Sequence, residues 1–217
     1  MCRQPKKVWP LLIAILVVAM PLAPQSARIS SAQSPQAASF SSYLPELQRL
    51  QRNGDAAGVE RLARQAQIEL QSKLGPDSIE VASAVTWVGI ALHVQGRNSE
   101  AEPPLRRALA IREKALGPRH LDVAVSLNNL AQVLLPLRRF PEVEPLMRRA
   151  LAIDEAALGP KNPLIARDLN NLSDLKWNQG LYAEAEPLAR RSLAIREQSL
   201  ETTIWKHPSA STISPSC

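Results

Sequence analysis

Three histidines, His93, His120 and His207, are scattered along this chain of 217 residues, with no acid or nucleophile at a spacing that would make one a general base. The two cysteines stand near the ends, Cys2 and Cys217, and no CxxC pair or His/Cys cluster suggests a structural metal. A Gly-rich phosphate loop and a nucleophile elbow are both missing, so no catalysis, cofactor or metal is expected. What keeps chemical character is amide and charge. Asn128-Asn129 and Asn170-Asn171 carry groups that both donate and accept hydrogen bonds, which suits the backbone of a bound peptide without selecting its side chains. Arg-Arg pairs recur at 106–107, 148–149 and 190–191, each preceded by a glutamate four residues earlier (Glu102–Arg106, Glu144–Arg148, Glu186–Arg190). That order favours pairing along a helix, so these arginines read as a solvated, partly self-paired face. A nucleic-acid stripe is the sharper alternative, disfavoured by the glutamate partners and by the lack of interleaved aromatics.

The elements that carry these groups are set by a repeat. RRALAIREKALGP at 106–118 returns 42 residues later as RRALAIDEAALGP at 148–160, and again as RRSLAIREQSLET at 190–202. Gly75-Pro76, Gly117-Pro118 and Gly159-Pro160 keep the same period. After each Gly-Pro a helix is expected. Its start is marked by Ser78-Ile79, His120-Leu121 or Asn162-Pro163, with Asn as N-cap and Pro at the first helical position in the last case. Glu80 and Asp122 sit in the first turn, where the helix dipole favours acids. Gly96 and Gly180 end this first helix, while Arg138 takes their column in the middle unit. Pro136 should bend that helix or end it early.

A second helix follows, with buried columns Ala101, Leu105, Ala108, Leu109, Ile111; then Val143, Met147, Ala150, Leu151, Ile153; then Ala185, Ala189, Ser192, Leu193, Ile195. Gly117 and Gly159 are expected to close it as left-handed C-caps. One such pair cannot bury its own apolar stripe, so neighbours must stack. The reading is an all-α solenoid of antiparallel helix pairs: units at 75–116, 117–158 and 159–200, behind a degenerate, more polar N-terminal copy at 43–74. In that copy Tyr43, Leu47 and Leu50 fill first-helix columns, and Val59, Ala63 and Ala66 the small-residue columns.

Ahead of the stack, residues 33–42 read as a linker and 1–32 as a leader. The basic CRQPKK precedes an apolar run at 8–23, interrupted by Pro10 and Pro21, and Ser30-Ser31-Ala32 offers a cleavage site. The run is shorter than the ~20 residues of a spanning helix. Export to a periplasm or the exterior is therefore expected; the alternative is an uncleaved membrane anchor at 8–23. The formal charge of +6 falls to +2 once the four basic residues of the acid-free leader are set aside.

LNNLA at 127–131, GLYAEAEPLARRSLAI at 180–195 and the repeated LGP resemble tetratricopeptide repeats (TPR) of the 42-residue, kinesin-light-chain type, over residues 43–200. The resemblance implies that the first helices of successive units line a concave groove holding a partner peptide or protein. Carried over by position, the groove residues are Trp87, Asn128, Asn129, Gln132, Arg167, Asn170, Asn171, Asp174 and Trp177, with Ser83, Ile90, His93 and Val125 beside them. The sequence leaves two roles open for the Asn pairs, binding a peptide or bracing stacked helices. Lys176 departs from the family by standing in a column usually apolar. Asn171-Leu172-Ser173 matches a glycosylation sequon but falls in mid-helix.

After Leu200 the tail ETTIWKHPSASTISPSC reads as irregular, 201–217, with nothing like a polar capping helix. The open side of the last unit would be covered by the tail, by another chain (self-association included), or by units lost from a longer protein. The last alternative makes the chain a remnant of a longer TPR-effector protein without independent function.

Overall fold

The computed structural model describes residues 39–206, with side chains through residue 199. A 3-10 turn at Phe40–Ser42 leads into eight helices: α1 Leu44–Arg52, α2 Ala56–Leu74, α3 Ile79–Val94, α4 Asn98–Leu116, α5 Leu121–Leu134, α6 Phe140–Leu158, α7 Pro163–Asn178 and α8 Tyr182–Lys206. No strand occurs among the described residues. Contacts run between consecutive helices, supplemented by α5 against α3 and by the 3-10 turn against α1 and α3. That local connectivity is an α-solenoid.

The helix starts follow the chemistry of their first residues. Ser78 Oγ accepts from the Val81 N–H at 3.3 Å, His120 Nδ1 from Asp122 at 3.1 Å, and Asn162 Oδ1 from Leu164 at 2.9 Å. Each satisfies one of the N–H groups a helix leaves unpaired at its start. Pro136 acts as its ring geometry requires. α5 stops at Leu134, two residues short of the column where α3 and α7 stop.

The glycines between units depart from expectation. Gly75, Gly117 and Gly159 have φ of 85°, 87° and 83°, but ψ of 164°, 157° and 156°. They are not left-handed helical caps; they occupy an extended region at positive φ that only glycine enters without a Cβ clash. The backbone reason for glycine is therefore stricter than a C-cap. Within the pairs, Gly54, Gly96 and Gly180 turn at φ of 74°, 78° and 77°, and Arg138 is held at 57° in the same column. A side chain there costs roughly 1–2 kcal/mol, offset by about 0.5 kcal/mol from the Arg138 guanidinium lying 5.5 Å over the Phe140 ring. Arg138→Gly is expected to raise stability by about 1 kcal/mol. The measurement is a later urea midpoint at unchanged slope; an earlier midpoint contradicts it.

Two boundaries differ from the sequence reading. α8 runs on to Lys206 rather than yielding to an irregular tail at 201. Glu201 stands where Gly117 and Gly159 stop the earlier helices, and Glu-Thr-Thr contains no breaker. Inside the segment read as a linker, Phe40–Ser42 is ordered: Phe40 is buried, and its N–H donates to Glu80 Oε2 at 2.7 Å. A single aromatic in a Ser-rich stretch gives no periodic signal. The expected leader, residues 1–32, and the start of the expected linker lie outside the described residues.

The second-helix columns split along the stack. Ala101, Leu105, Ala108 and Ile111 are buried, as are Val143, Met147, Ala150 and Ile153. On α8 Ala185, Ser192 and Ile195 are buried, but Ala189 is exposed and Leu193 is 56% exposed. Leu109 and Leu151 escape this because the next pair packs on them: Leu109 against Val123, Leu127 and Ala150, Leu151 against Ile165, Ala166 and Leu169.

Candidate partner-binding groove

The nine expected groove residues sit on α3, α5 and α7, and their exposure grows along the stack. Trp87, Asn128 and Asn129 are buried; Gln132, Arg167, Asn170 and Asn171 are half-buried; Asp174 and Trp177 are exposed. Column by column the trend holds: Ile90 is buried, Gln132 half-buried and Asp174 exposed. Each first helix is partly covered by the pair that follows, and among the described residues nothing follows α7 and α8.

The buried members have structural partners. Trp87 belongs to the main apolar core with Val85, Val88 and Leu92. Asn128 donates from Nδ2 to Asp168 Oδ1 at 2.8 Å, joining α5 to α7 across the seam between two pairs. It is a brace, whatever else it does. Asn128 Oδ1 and Asn129 Nδ2 are buried without a protein partner. Asn170 instead bonds Asp174 within α7 at 3.1 Å. Ser83 turns back to the Ile79 carbonyl, and His93 meets Asn98 Oδ1 at 2.6 Å. Ser173 of the sequon is buried and donates to the Ala185 carbonyl at 3.0 Å. Trp177 packs edge-on against Tyr182, centroids 4.7 Å apart, with both rings largely exposed.

Charge is organised for stacking. The three Glu–Arg pairs form along α4, α6 and α8 at 2.8, 2.8 and 2.6 Å. A second set crosses the seams: Arg97 to Glu60 at 2.9 Å, Arg139 to Glu102 at 2.6 Å, Arg149 to Glu113 at 2.6 Å and Arg191 to Glu155 at 2.5 Å. In the third pair Leu181 replaces the arginine of the 97/139 column, and Lys176 takes over its task. Its buried ammonium lies 2.8 Å from Glu144 and 2.9 Å from Glu184. The Glu144 and Glu184 hydrogen bonds raise the Lys176 pKa, and Lys176 in turn lowers that of Glu144. The apolar column thus admits a lysine because the neighbouring column lost its cation.

Sequence reasoning missed two buried polar seams. Between the first and second units, buried Arg112 donates to Thr86 Oγ1 at 3.1 Å and Ser126 Oγ at 2.6 Å, and burial pushes its pKa down. One period on, Asp154 holds the same column, facing Asp168 and Arg167. The only sequence signal was the Arg-to-Asp difference between two otherwise near-identical copies.

Outside the groove, a depression of about 320 Å³ lies among α2, α3 and α4, rimmed by Arg64, Gln67 and Arg107 over Val85, Val88 and Leu92. Pro103 and Pro104 also line it, Pro104 in the column of Leu146 and Leu188. Among the described residues no His, Cys, Asp and Glu group is arranged to hold a metal ion, and no helix is long and apolar enough to cross a membrane.

Two tandem matches to the tetratricopeptide repeat model, at residues 80–156 and 122–198, are displaced by the same 42 residues as the internal repeat. They span more than half of the chain, which belongs to the tetratricopeptide repeat family. Its fold is that of kinesin-light-chain-like arrays. A Podosopora anserina protein named for kinesin light chain, built of nearly identical TPR-like repeats, superposes with a TM-score of 0.67 at 21% identity, over 76% of this chain and 78% of that one. BtubC (BKLC) from P. vanneervenii superposes with a TM-score of 0.63 at 24% identity, over 78% of this chain and 75% of its own. No curated protein matches significantly in sequence. TPR repeats generally serve as protein-interaction scaffolds.

Proposed function

We propose that this chain is a non-catalytic docking scaffold, exported from the cytoplasm, which holds an extended or helical segment of a partner protein against α3, α5 and α7. The supporting observation is the set of accessible side chains that two of these helices offer: Gln132 of α5, and Arg167, Asn170, Asn171, Asp174 and Trp177 of α7. Amides and opposite charges side by side match a peptide backbone, which presents donors and acceptors alternately. The arginines outside the groove are largely committed to glutamates, which supports a protein partner over a nucleic acid. The leader-like residues 1–32 support export.

Because Asn128 braces a seam, its removal would confound folding with binding. The discriminating variant is Gln132→Ala with Asn171→Ala, neither of which takes part in a seam hydrogen bond among those described. Capture of the partner from an envelope fraction is expected to fall at least tenfold with the melting temperature held within about 2 °C. Undiminished capture removes the groove reading. Binding that collapses between 50 and 200 mM salt points to nucleic acid instead. Sequencing of the mature N-terminus tests export: a start after Ala32 supports it, and a start at Met1 supports an anchor.

A further inference from the structure

Asp154 on α6 and Asp168 on α7 are both at least 98% buried, and they meet at the seam between the second and third units. The cation facing them is Arg167, whose Nη2 lies 3.6 Å from Asp154 and 3.2 Å from Asp168. From α5 the uncharged Asn128 reaches Asp168, while Asp122 of that helix acts on Arg112. Arg196 of α8 acts on Asp174. With both carboxyls ionised, the seam would enclose two negative charges against one positive. Asp168 Oδ2, moreover, is buried with no donor. A carboxyl that can carry a proton thus stands beside a carboxylate oxygen that lacks one. The preceding seam holds Arg112 between two hydroxyls in the same column and has no such pair.

We propose that Asp154 and Asp168 share one proton, which seals α7 and α8 onto α6, and that losing this proton loosens the third unit. The physical cause is the cost of leaving two adjacent charges out of water. Burial first, and then the bond and charge of Asp168, push the Asp154 pKa up to about 7. In the unfolded chain the same group titrates near 4. A folded value raised above the unfolded one gives stability that is complete below about pH 4. It declines as pH rises toward 7 and is gone above that. The device therefore works between about pH 4 and 7, and it shares Arg167 and Asn128 with the expected groove.

The test is amide hydrogen exchange of α7, corrected for intrinsic rates, at pH 5.5 and 8.5. Wild-type protection is expected to fall about tenfold or more over that interval, since each pH unit of linkage is worth up to a tenfold change. Asp154→Asn offers a permanent N–H to Asp168. It should abolish the fall and protect α7 better than wild type at pH 8.5. Flat wild-type protection, or an equal fall in Asp154→Asn, overturns the proposal. A second readout needs no variant: the side-chain carboxyl carbon of Asp154 in wild type should titrate near pH 7, and a midpoint at or below 4.5 overturns it.

Discussion

Truncating Leu127 to alanine is expected to cost about 3 kcal/mol and to split unfolding into two steps. Leu127 is fully buried on α5 among Val123, Ala124, Ala150 and Ile153, with Leu109 and Leu146 against the same cluster. It therefore joins the α4 ridge to the second pair. Two of its neighbours are alanines already, so the helices touch closely and little can move in to fill the space. In a solenoid, stability is a sum of unit terms and nearest-neighbour seam terms, and a loss at one seam is not shared by the rest. Val59, Ala63, Val85 and Leu92 belong to a different cluster, which continues along the stack through Leu134 and Met147 to Leu175 and does not include Leu127. The urea transition should broaden, with a lower slope or a visible plateau. Leu193→Ala is the matched control. The same atoms are removed from the exposed side of α8, and the change should stay within about 0.5 kcal/mol. Equal effects at the two sites would mean that the α8 face is covered in solution.

Lys176 provides the second large effect. Lys176→Ala is expected to cost about 3 kcal/mol, and Lys176→Leu less than about 1 kcal/mol. Alanine both opens a hole in a filled column and strips Glu144 of its buried partner. Leucine restores what Leu92 and Leu134 provide in that column, while Glu144 keeps Arg148 at 2.8 Å and some contact with water. The pH dependence has a definite sign. The Lys176 bond holds the Glu144 carboxyl below its ordinary value. That stabilisation is present above the unfolded pKa near 4 and is lost as pH falls through the lower folded value. Wild type should accordingly lose ground to Lys176→Leu in acid. Thermal melts at pH 7 and pH 3 measure both claims. A leucine variant as unstable as the alanine variant would show that the ion pair, not the filling, holds the seam.

Much of this architecture can be read from the chain because its determinants are local. The 42-residue period, the caps at Ser78, His120 and Asn162, and the early stop at Pro136 each depend on residues within one turn of the effect. The seams cannot be read that way. Whether Asn128 binds or braces depends on Asp168, forty residues on, and the depth of Trp87 depends on the unit stacked behind it. The carboxyl pair is invisible to periodicity because Asp154 is one of only two letters that distinguish its copy of the 13-residue repeat from the copy before it. The extent of α8 is hidden for a simpler reason: a tail rich in Ser, Thr and Pro shows no helical period, while the missing Gly-Pro only removes a stop.

The three glycines between units agree within 8° in ψ and 4° in φ. The step from each unit to the next is then nearly one rigid motion applied over and over, and a motion repeated without change traces a screw. Its pitch is written in the joints rather than in the groove. Side chains outside the seams, such as Gln132 and Asn171, are thereby released from shaping the curve, and on the proposed docking role a lineage could exchange them to change the guest while leaving the thread untouched.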